Sequence, residues 1–219
     1  MAVLELAVDR QFQSMMVAEA LRDLGDLWSM IANPDDGRTV RKVLEEYLPI
    51  LIQTYGEPLA VQAATRFEEI RSIAGVSGRF TSLIANGPEA DRINAHARKM
   101  IEPIFRGADS NPEEAFQNLE GMTSRLVLEQ SRRTTTENTF AKDSKTKGFV
   151  RVPSVGKDNC SFCLMLSSKT FTTKENARAG TKFHNKCFCK VIPIFEGLEI
   201  EGYDQESQYQ KYLEIRDSL

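Results

Sequence analysis

Hydrophobic residues recur at helical spacing through the first 140 residues of the chain. In residues 3–32 such positions fall three or four apart and predict one amphipathic helix: Leu4, Val8, Phe12, Met15, Met16, Leu24, Leu27 and Ile31. The polar run at residues 33–37 predicts its end. The same spacing predicts further helices over residues 38–55, 58–74 and 89–105, and one that runs from a capping box at residues 110–113 toward residue 140.

Prolines and glycines refine these boundaries. Pro49 predicts a kink or a split in the second helix, because proline removes a helical hydrogen bond. Gly56 followed by Pro58 predicts that one helix ends there and another begins. Residues 76–88 are less regular, and Phe80, Leu83 and Ile84 predict at most one short helical turn there.

The pattern changes after Phe140. Residues 142–148 are polar and turn-like, whereas residues 149–153 and 189–195 have the composition of short strands. Residues 207–215 predict either a short helix or a loose tail.

The stretch between these two strands contains all four cysteines and one of the two histidines: Cys160, Cys163, His184, Cys187 and Cys189. The Cys-x2-Cys pair and the His-x2-Cys pair have the spacing of ligands for a tetrahedral Zn²⁺ ion. Five donors are available for a site that takes four. Cys160 and Cys163 are the strongest pair, and spacing alone leaves open which two of the other three complete it.

Other interpretations of the cluster stay open at this stage. Cys160 and Cys163 match a thiol redox pair, four cysteines allow two disulfides, and His184 beside a cysteine allows a nucleophile. The start of the chain does not have the pattern of a secretory signal. We therefore expect a reducing compartment, which favours a metal over disulfides. The sequence offers no carboxylate that is fixed beside the cluster as a general base, so a structural zinc ion is expected rather than a catalytic one.

These patterns predict a mainly α protein. We expect a helical N-terminal region (residues 1–120), a small α+β Cys/His-rich domain of zinc-ribbon-like type (residues 121–195) and an acidic C-terminal tail (residues 196–219). The apolar content of 41% suffices for a core. No run of about 18 apolar residues is present, so no membrane span is expected.

Charge is unevenly distributed although the net charge is only −3. Residues 121–190 contain 14 Lys and Arg against 5 Asp and Glu, whereas the flanking segments are acidic. This basic block predicts either contact with a phosphate backbone or an acidic partner, or simply a solvated surface. The candidate contact residues are Arg132, Arg133, Lys142, Lys145, Lys147 and Arg151.

The segment from residue 125 to residue 195 resembles the C-terminal part of the phage Mu F-like head morphogenesis proteins, also called minor head or minor capsid proteins. The resemblance is carried by Arg133-Thr134 with Glu137, by Arg151-Val152-Pro153, by the five Cys and His residues, and by Pro193. Asn185 and Phe188 depart from the family pattern, in which many members have proline and arginine.

The resemblance implies a non-enzymatic virion protein inside the phage head, which reaches the head from the host cytoplasm during assembly. It implies portal and capsid proteins as partners, and contact with packaged double-stranded DNA as a further role. Two other functions remain as alternatives: a zinc-dependent nucleic-acid-binding module, and a thiol redox enzyme that uses Cys160 and Cys163.

Overall fold

The computed structural model describes residues 2–32, 36–154 and 159–217, so most of the predicted break at residues 33–37 lies outside the described residues. The elements are β1 (Ala2–Leu4), α1 (Ala7–Ile31), α2 (Gly37–Ile73), α3 (Ala90–Met100), α4 (Pro112–Glu137), β2 (Gly148–Val152), α5 (Ser161–Ser167), β3 (Thr170–Phe171), α6 (Lys174–Gly180), β4 (Lys190–Ile194), β5 (Leu198–Ile200) and α7 (Gln205–Asp217). A π-helical turn, Asn138–Lys142, follows α4. The predicted fold class, mainly α with a small α+β Cys/His-rich region, is confirmed.

Helices α1, α2, α3 and α4 pack around one apolar core. Leu24 of α1, Leu44 and Leu48 of α2, and Leu126 of α4 are fully buried in it. The periodic positions of the sequence therefore face this core, as amphipathic helices require. None of the described helices combines the length and the hydrophobicity needed to cross a membrane.

The predicted split of the second helix is wrong, because α2 runs through Pro49, Gly56 and Pro58 without interruption. Gly56 does not end a helix; it allows α2 and α4 to pack closely where they cross. A Cβ atom at this position would lie 3.4 Å from the carbonyl oxygen of Val127 and 3.2 Å from Oε1 of Gln130, both on α4. The close packing of α2 on α4 therefore outweighs the helix-breaking preference of the two prolines.

Residues 76–88 contain no helical turn in the described structure, contrary to the expectation at Phe80, Leu83 and Ile84. Buried polar side chains of α4 and of the turn after it form hydrogen bonds with the backbone of this segment. The Asn138 side chain accepts from the backbone N–H of Leu83 (2.9 Å) and donates to its carbonyl oxygen (2.8 Å), while the Thr134 hydroxyl accepts from Ala85 N–H (3.1 Å).

Two small sheets complete the fold. The three-stranded sheet has the order β3-β2-β4 and is antiparallel, with Val150 opposite Ile192. The two-stranded sheet pairs β1 with β5 in parallel, with Ala2 opposite Leu198. The predicted helix from residue 3 is therefore wrong for its first residues, which form a strand because a partner from the C-terminal end pairs with them.

A second core joins the sheets to the helices. Leu4 of β1, Phe67 of α2, Val150 of β2 and Phe195 after β4 are all buried in it. Contacts therefore cross the expected segment limits at residues 120 and 195. The acidic C-terminal segment is also folded, since α7 packs on α5 and the Tyr203 hydroxyl donates to the Ser167 carbonyl oxygen at 2.5 Å.

We predict that Gly148→Ala destabilises the protein by about 2 kcal/mol or more. Gly148 has a φ of 127°, and a Cβ atom there would lie 2.2 Å from the Phe171 carbonyl oxygen in the β2–β3 pair. Gly197→Ala is the matched control, because Gly197 has a φ of 74° but no atom within 4 Å of its Cβ position. Urea unfolding should show a cost of only about 1 kcal/mol for the control; equal costs would contradict this explanation.

Candidate metal centre

The Cys160–Cys163 pair lies at the start of the short helix α5. Cys160 is the N-cap residue, and its Sγ accepts a hydrogen bond from the Cys163 backbone N–H at 3.4 Å. One helical turn then places both sulfur atoms on the same side. Cys160 is exposed, whereas Cys163 is buried.

The other three donors lie in the loop between α6 and β4. The Cys187 N–H donates to the His184 carbonyl oxygen at 3.3 Å and closes a tight turn. Within this turn Lys186 has a φ of 61°, the one positive value among the described non-glycine residues. The turn directs the His184 ring and the Cys187 sulfur toward α5, and Cys189 leads into β4.

The donor atoms of the two halves meet at Cys163. The His184 Nε2 atom lies 3.0 Å from the Cys160 Sγ and 3.2 Å from the Cys163 Sγ, and the Cys187 Sγ lies 3.6 Å from the Cys163 Sγ. Two sets of mutually close donors result, one formed by Cys160, Cys163 and His184 and the other by Cys163, Cys187 and Cys189. Within each set all donor atoms lie within 4.8 Å of one another.

These separations fit metal ligands better than disulfides. A disulfide requires about 2.05 Å between sulfur atoms, whereas Cys163 and Cys187 are 3.6 Å apart and all four cysteines are free. Two thiolates on a tetrahedral zinc ion, each at about 2.3 Å, lie about 3.8 Å from each other. The His184 Nδ1 atom is 2.7 Å from the Asn185 carbonyl oxygen, which leaves Nε2 for a metal when Nδ1 carries the proton.

A buried arginine contacts the sulfur atoms directly. Arg151 of β2 has no exposed surface, and its Nη2 atom donates to the Sγ atoms of Cys163 (3.6 Å) and Cys187 (3.5 Å). Its Nη1 atom donates to the Lys182 carbonyl oxygen at 2.7 Å. Charge-assisted contacts of this kind stabilise thiolates relative to thiols.

A second buried arginine holds the backbone of the same loop. Arg132 of α4 is 4% exposed and donates to the carbonyl oxygens of Cys189 (Nε, 3.2 Å) and Cys187 (Nη2). Both guanidinium groups lie over the Phe183 ring, whose centroid is 3.8 Å from the Arg132 Cζ and 4.2 Å from the Arg151 Cζ. Burial lowers the pKa of Arg132 to about 10, an effect that the nearby sulfur atoms of Cys187 and Cys189 oppose.

Two buried cations at this position require negative charge nearby. Neither Arg132 nor Arg151 forms a salt bridge with a carboxylate of the described chain, and Arg132 Nη1 and Arg151 Nε have no hydrogen-bond partner there. The hydrogen bond from Cys163 lowers the pKa of Cys187 well below its ordinary value, and that of Cys163 rises in turn. A cysteine-rich metal centre would supply part of this charge, because three thiolates around one divalent ion leave a net negative charge. The donor set therefore fits a bound metal.

Comparison with protein families matches the sequence of the chain to a known group. The family model described as VG15 protein matches residues 4–215. The chain belongs to the VG15 protein family. This is a family of viral and phage proteins, and the match includes both the helices and the Cys/His region. Comparisons with curated proteins and with solved structures found no match.

The six predicted contact residues of this VG15-family chain do not form one surface. Arg132 and Arg151 lie inside the protein beside the cysteines. Arg133 is partly exposed and pairs with Glu137 at 3.1 Å. The remaining three, Lys142, Lys145 and Lys147, are exposed around the turn before β2.

Sequence reasoning missed the structural role of the two arginines and of Phe183. A signal was present for Arg151, because the β2 sequence Gly-Phe-Val-Arg-Val is apolar at neighbouring positions and not only at alternate ones. Such strands are covered on both faces, and a cation within one is therefore buried and paired. No comparable signal exists for Arg132. It stands next to Arg133 in a polar stretch of α4, and the sequence does not show which of the two arginines is buried.

We predict that Arg132→Met destabilises this chain by about 3 kcal/mol, because two buried carbonyl oxygens lose their donor and the thiolates lose a cation. Arg133→Met on the next residue is the matched control. Its ion pair with Glu137 is exposed, so its removal should change the free energy of unfolding by less than about 0.5 kcal/mol. Chemical denaturation measures both; an Arg132→Met protein as stable as the control would show that the guanidinium does not support the loop.

Proposed function

We propose that the chain is a non-enzymatic structural protein of the phage head, associated with the portal during head morphogenesis, in which the Cys/His cluster holds a zinc ion. Membership of a viral and phage family supports the first part. The observation that carries the proposal is that two donor sets, Cys160–Cys163–His184 and Cys163–Cys187–Cys189, meet at the Cys163 sulfur. The residues whose spacing resembles the Mu F-like head proteins are therefore close together in space.

Zinc would fix a region that has little core of its own. The cluster joins the start of α5 to the loop before β4. The small apolar core beside it, around Phe149 and Phe171, contains five buried residues of the described chain. A metal that binds both segments adds its binding free energy to the folding free energy. On this proposal Cys187 is the fourth ligand, because its Sγ lies 3.6 Å from the Cys163 Sγ and receives the Arg151 contact.

We expect one zinc ion per purified chain, with a strong chelator lowering the melting temperature by about 10 °C or more. Cys187→Ser should lose the metal. Cys189→Ser, which replaces the neighbouring buried cysteine, should retain close to one zinc ion per chain. Elemental analysis with titration of free thiols makes the comparison. Protein that contains no metal and no free thiols would replace the zinc proposal with disulfides.

One observation favours thiol redox chemistry as a second candidate function. Cys160 is exposed at a helix N-terminus with Cys163 one turn later, which is the position of reactive cysteine pairs. The antiparallel sheet beside it differs from the βαβ setting of thioredoxin-like enzymes. A disulfide-reductase assay on a folded Cys160→Ser protein tests this candidate. Activity that disappears while the fold persists supports it, and an unfolded variant supports the structural role.

Association with the head is tested in infected cells. Quantitative mass spectrometry of purified procapsids and mature virions should find the protein in few copies per particle, and cross-linking should join it to the portal. A protein with the Cys163→Ser substitution should be depleted from particles, because its Cys/His region no longer folds. Complete absence of the wild-type chain from both kinds of particle would contradict the proposal.

A further inference from the structure

A concave pocket of about 490 Å³ lies beside the cluster, on the face of α4 that carries Arg125. Its walls are α4, Arg92 of α3, and the loop residues 181–183 that directly precede His184. Seven charged side chains line it: Arg92, Arg125, Glu129, Arg132, Arg133, Glu137 and Lys182. The head role proposed above does not use this pocket.

The positive charge of the pocket is only partly balanced. Glu129 pairs with Arg92, whose Nη2 lies 2.8 Å from the Glu129 Oε2 atom. Glu137 pairs with Arg133. Both carboxylates of the pocket are therefore engaged. The remaining cations are Arg125, Arg132 and Lys182, none of which forms a salt bridge within the described chain.

A histidine next to the pocket responds to this excess charge. Burial lowers the pKa of His96 on α3, and Arg125, Arg92 and Lys99 lower it further, opposed only by Glu129. The charges of α3 and α4 therefore act on the same small volume. A bound anion would reverse part of this effect, which makes His96 a built-in probe of occupancy.

We propose that this pocket binds a phosphate group, with Arg125 and Lys182 as the principal contacts. Arg125 uses Nε for Asn185 Oδ1 at 3.1 Å, so its position is fixed from outside the pocket. Guanidinium and ammonium groups are side chains that bind phosphate, and these two cations, which have no carboxylate partner in the described chain, suit a doubly charged phosphate better than a single carboxylate. Two arginines already lie over the nearby Phe183 ring, so we expect no base to stack there and recognition to be independent of sequence.

The cluster and the pocket share one loop. Lys182 and Phe183 come immediately before His184, and Arg132 connects the pocket to the carbonyl oxygens of Cys187 and Cys189. A metal centre that holds this loop in place therefore also holds Lys182 opposite α4. The phosphate can belong to a DNA backbone or to a free phosphate or nucleotide, and the two sources are separated by experiment.

The test uses the purified full chain with three probes: inorganic phosphate, a nucleoside monophosphate and a fluorescent 20-nucleotide DNA. The Arg125→Gln/Lys182→Gln variant should bind the DNA at least tenfold more weakly at about 50 mM salt, with a smaller dependence of affinity on salt. Lys142→Gln/Lys145→Gln removes the same charge from the exposed turn before β2 and is the matched control. It should change the affinity by less than twofold. Circular dichroism and metal content confirm that both variants are folded.

NMR of the His96 ring identifies the site itself. Phosphate or nucleotide should raise the pKa of His96 in the wild type and not in the pocket variant, which assigns the site to free phosphates. A rise with DNA alone assigns it to the backbone. Equal losses of DNA binding in both variants, a His96 pKa that no probe changes, or polyglutamate bound as tightly as DNA would overturn the proposal. None of these results depends on the presence of the protein in phage heads.

Discussion

The burial of two guanidinium groups beside the cysteine cluster is the constraint on which the C-terminal region depends. Arg132 and Arg151 both contact the Phe183 ring and hold the cysteine loop through sulfur and carbonyl contacts. Cations taken out of water are stable only beside compensating charge. Elsewhere in the protein a carboxylate provides this charge: the buried Arg71 pairs with Asp143 at 3.0 Å. On the proposal made here, thiolates supply the compensating charge at the cluster, and a bound metal would keep several of them together.

This arrangement also explains how the region is attached to the helices. Arg132 belongs to α4, the helix that packs most extensively on α2, whereas Arg151 belongs to the central strand of the sheet. The loop that carries Cys187 and Cys189 is therefore fixed from both sides. Below it, Asp9 of α1 accepts from Arg66 of α2 at 3.0 Å and lies 4.0 Å from the Lys190 Nζ. Helices and sheet thus share polar contacts as well as an apolar core.

Local sequence patterns predicted most of the helices, the two main strands and the residues of the cysteine cluster. Helical periodicity located α1, α3 and α4, and the composition of residues 149–153 and 189–195 located β2 and β4. The spacing of Cys160, Cys163 and His184 identified residues that the structure brings together. Tertiary contacts decided the rest: α2 continues past Pro58 because Gly56 packs on α4, and residues 2–4 form a strand because residues 198–200 pair with them. No local signal shows either partner.

Cobalt substitution tests the central claim most directly, because the absorption spectrum of Co²⁺ reports both its geometry and its sulfur ligands. For the wild-type chain we predict one tightly bound Co²⁺ ion with tetrahedral bands and strong thiolate charge-transfer absorption, displaced by one equivalent of Zn²⁺. The charge-transfer intensity should decrease in Cys187→Ser and remain in Cys189→Ser. A spectrum of octahedral, oxygen-ligated cobalt, or no binding by the fully reduced chain, would contradict a metal–thiolate centre as the counter-charge of Arg132 and Arg151.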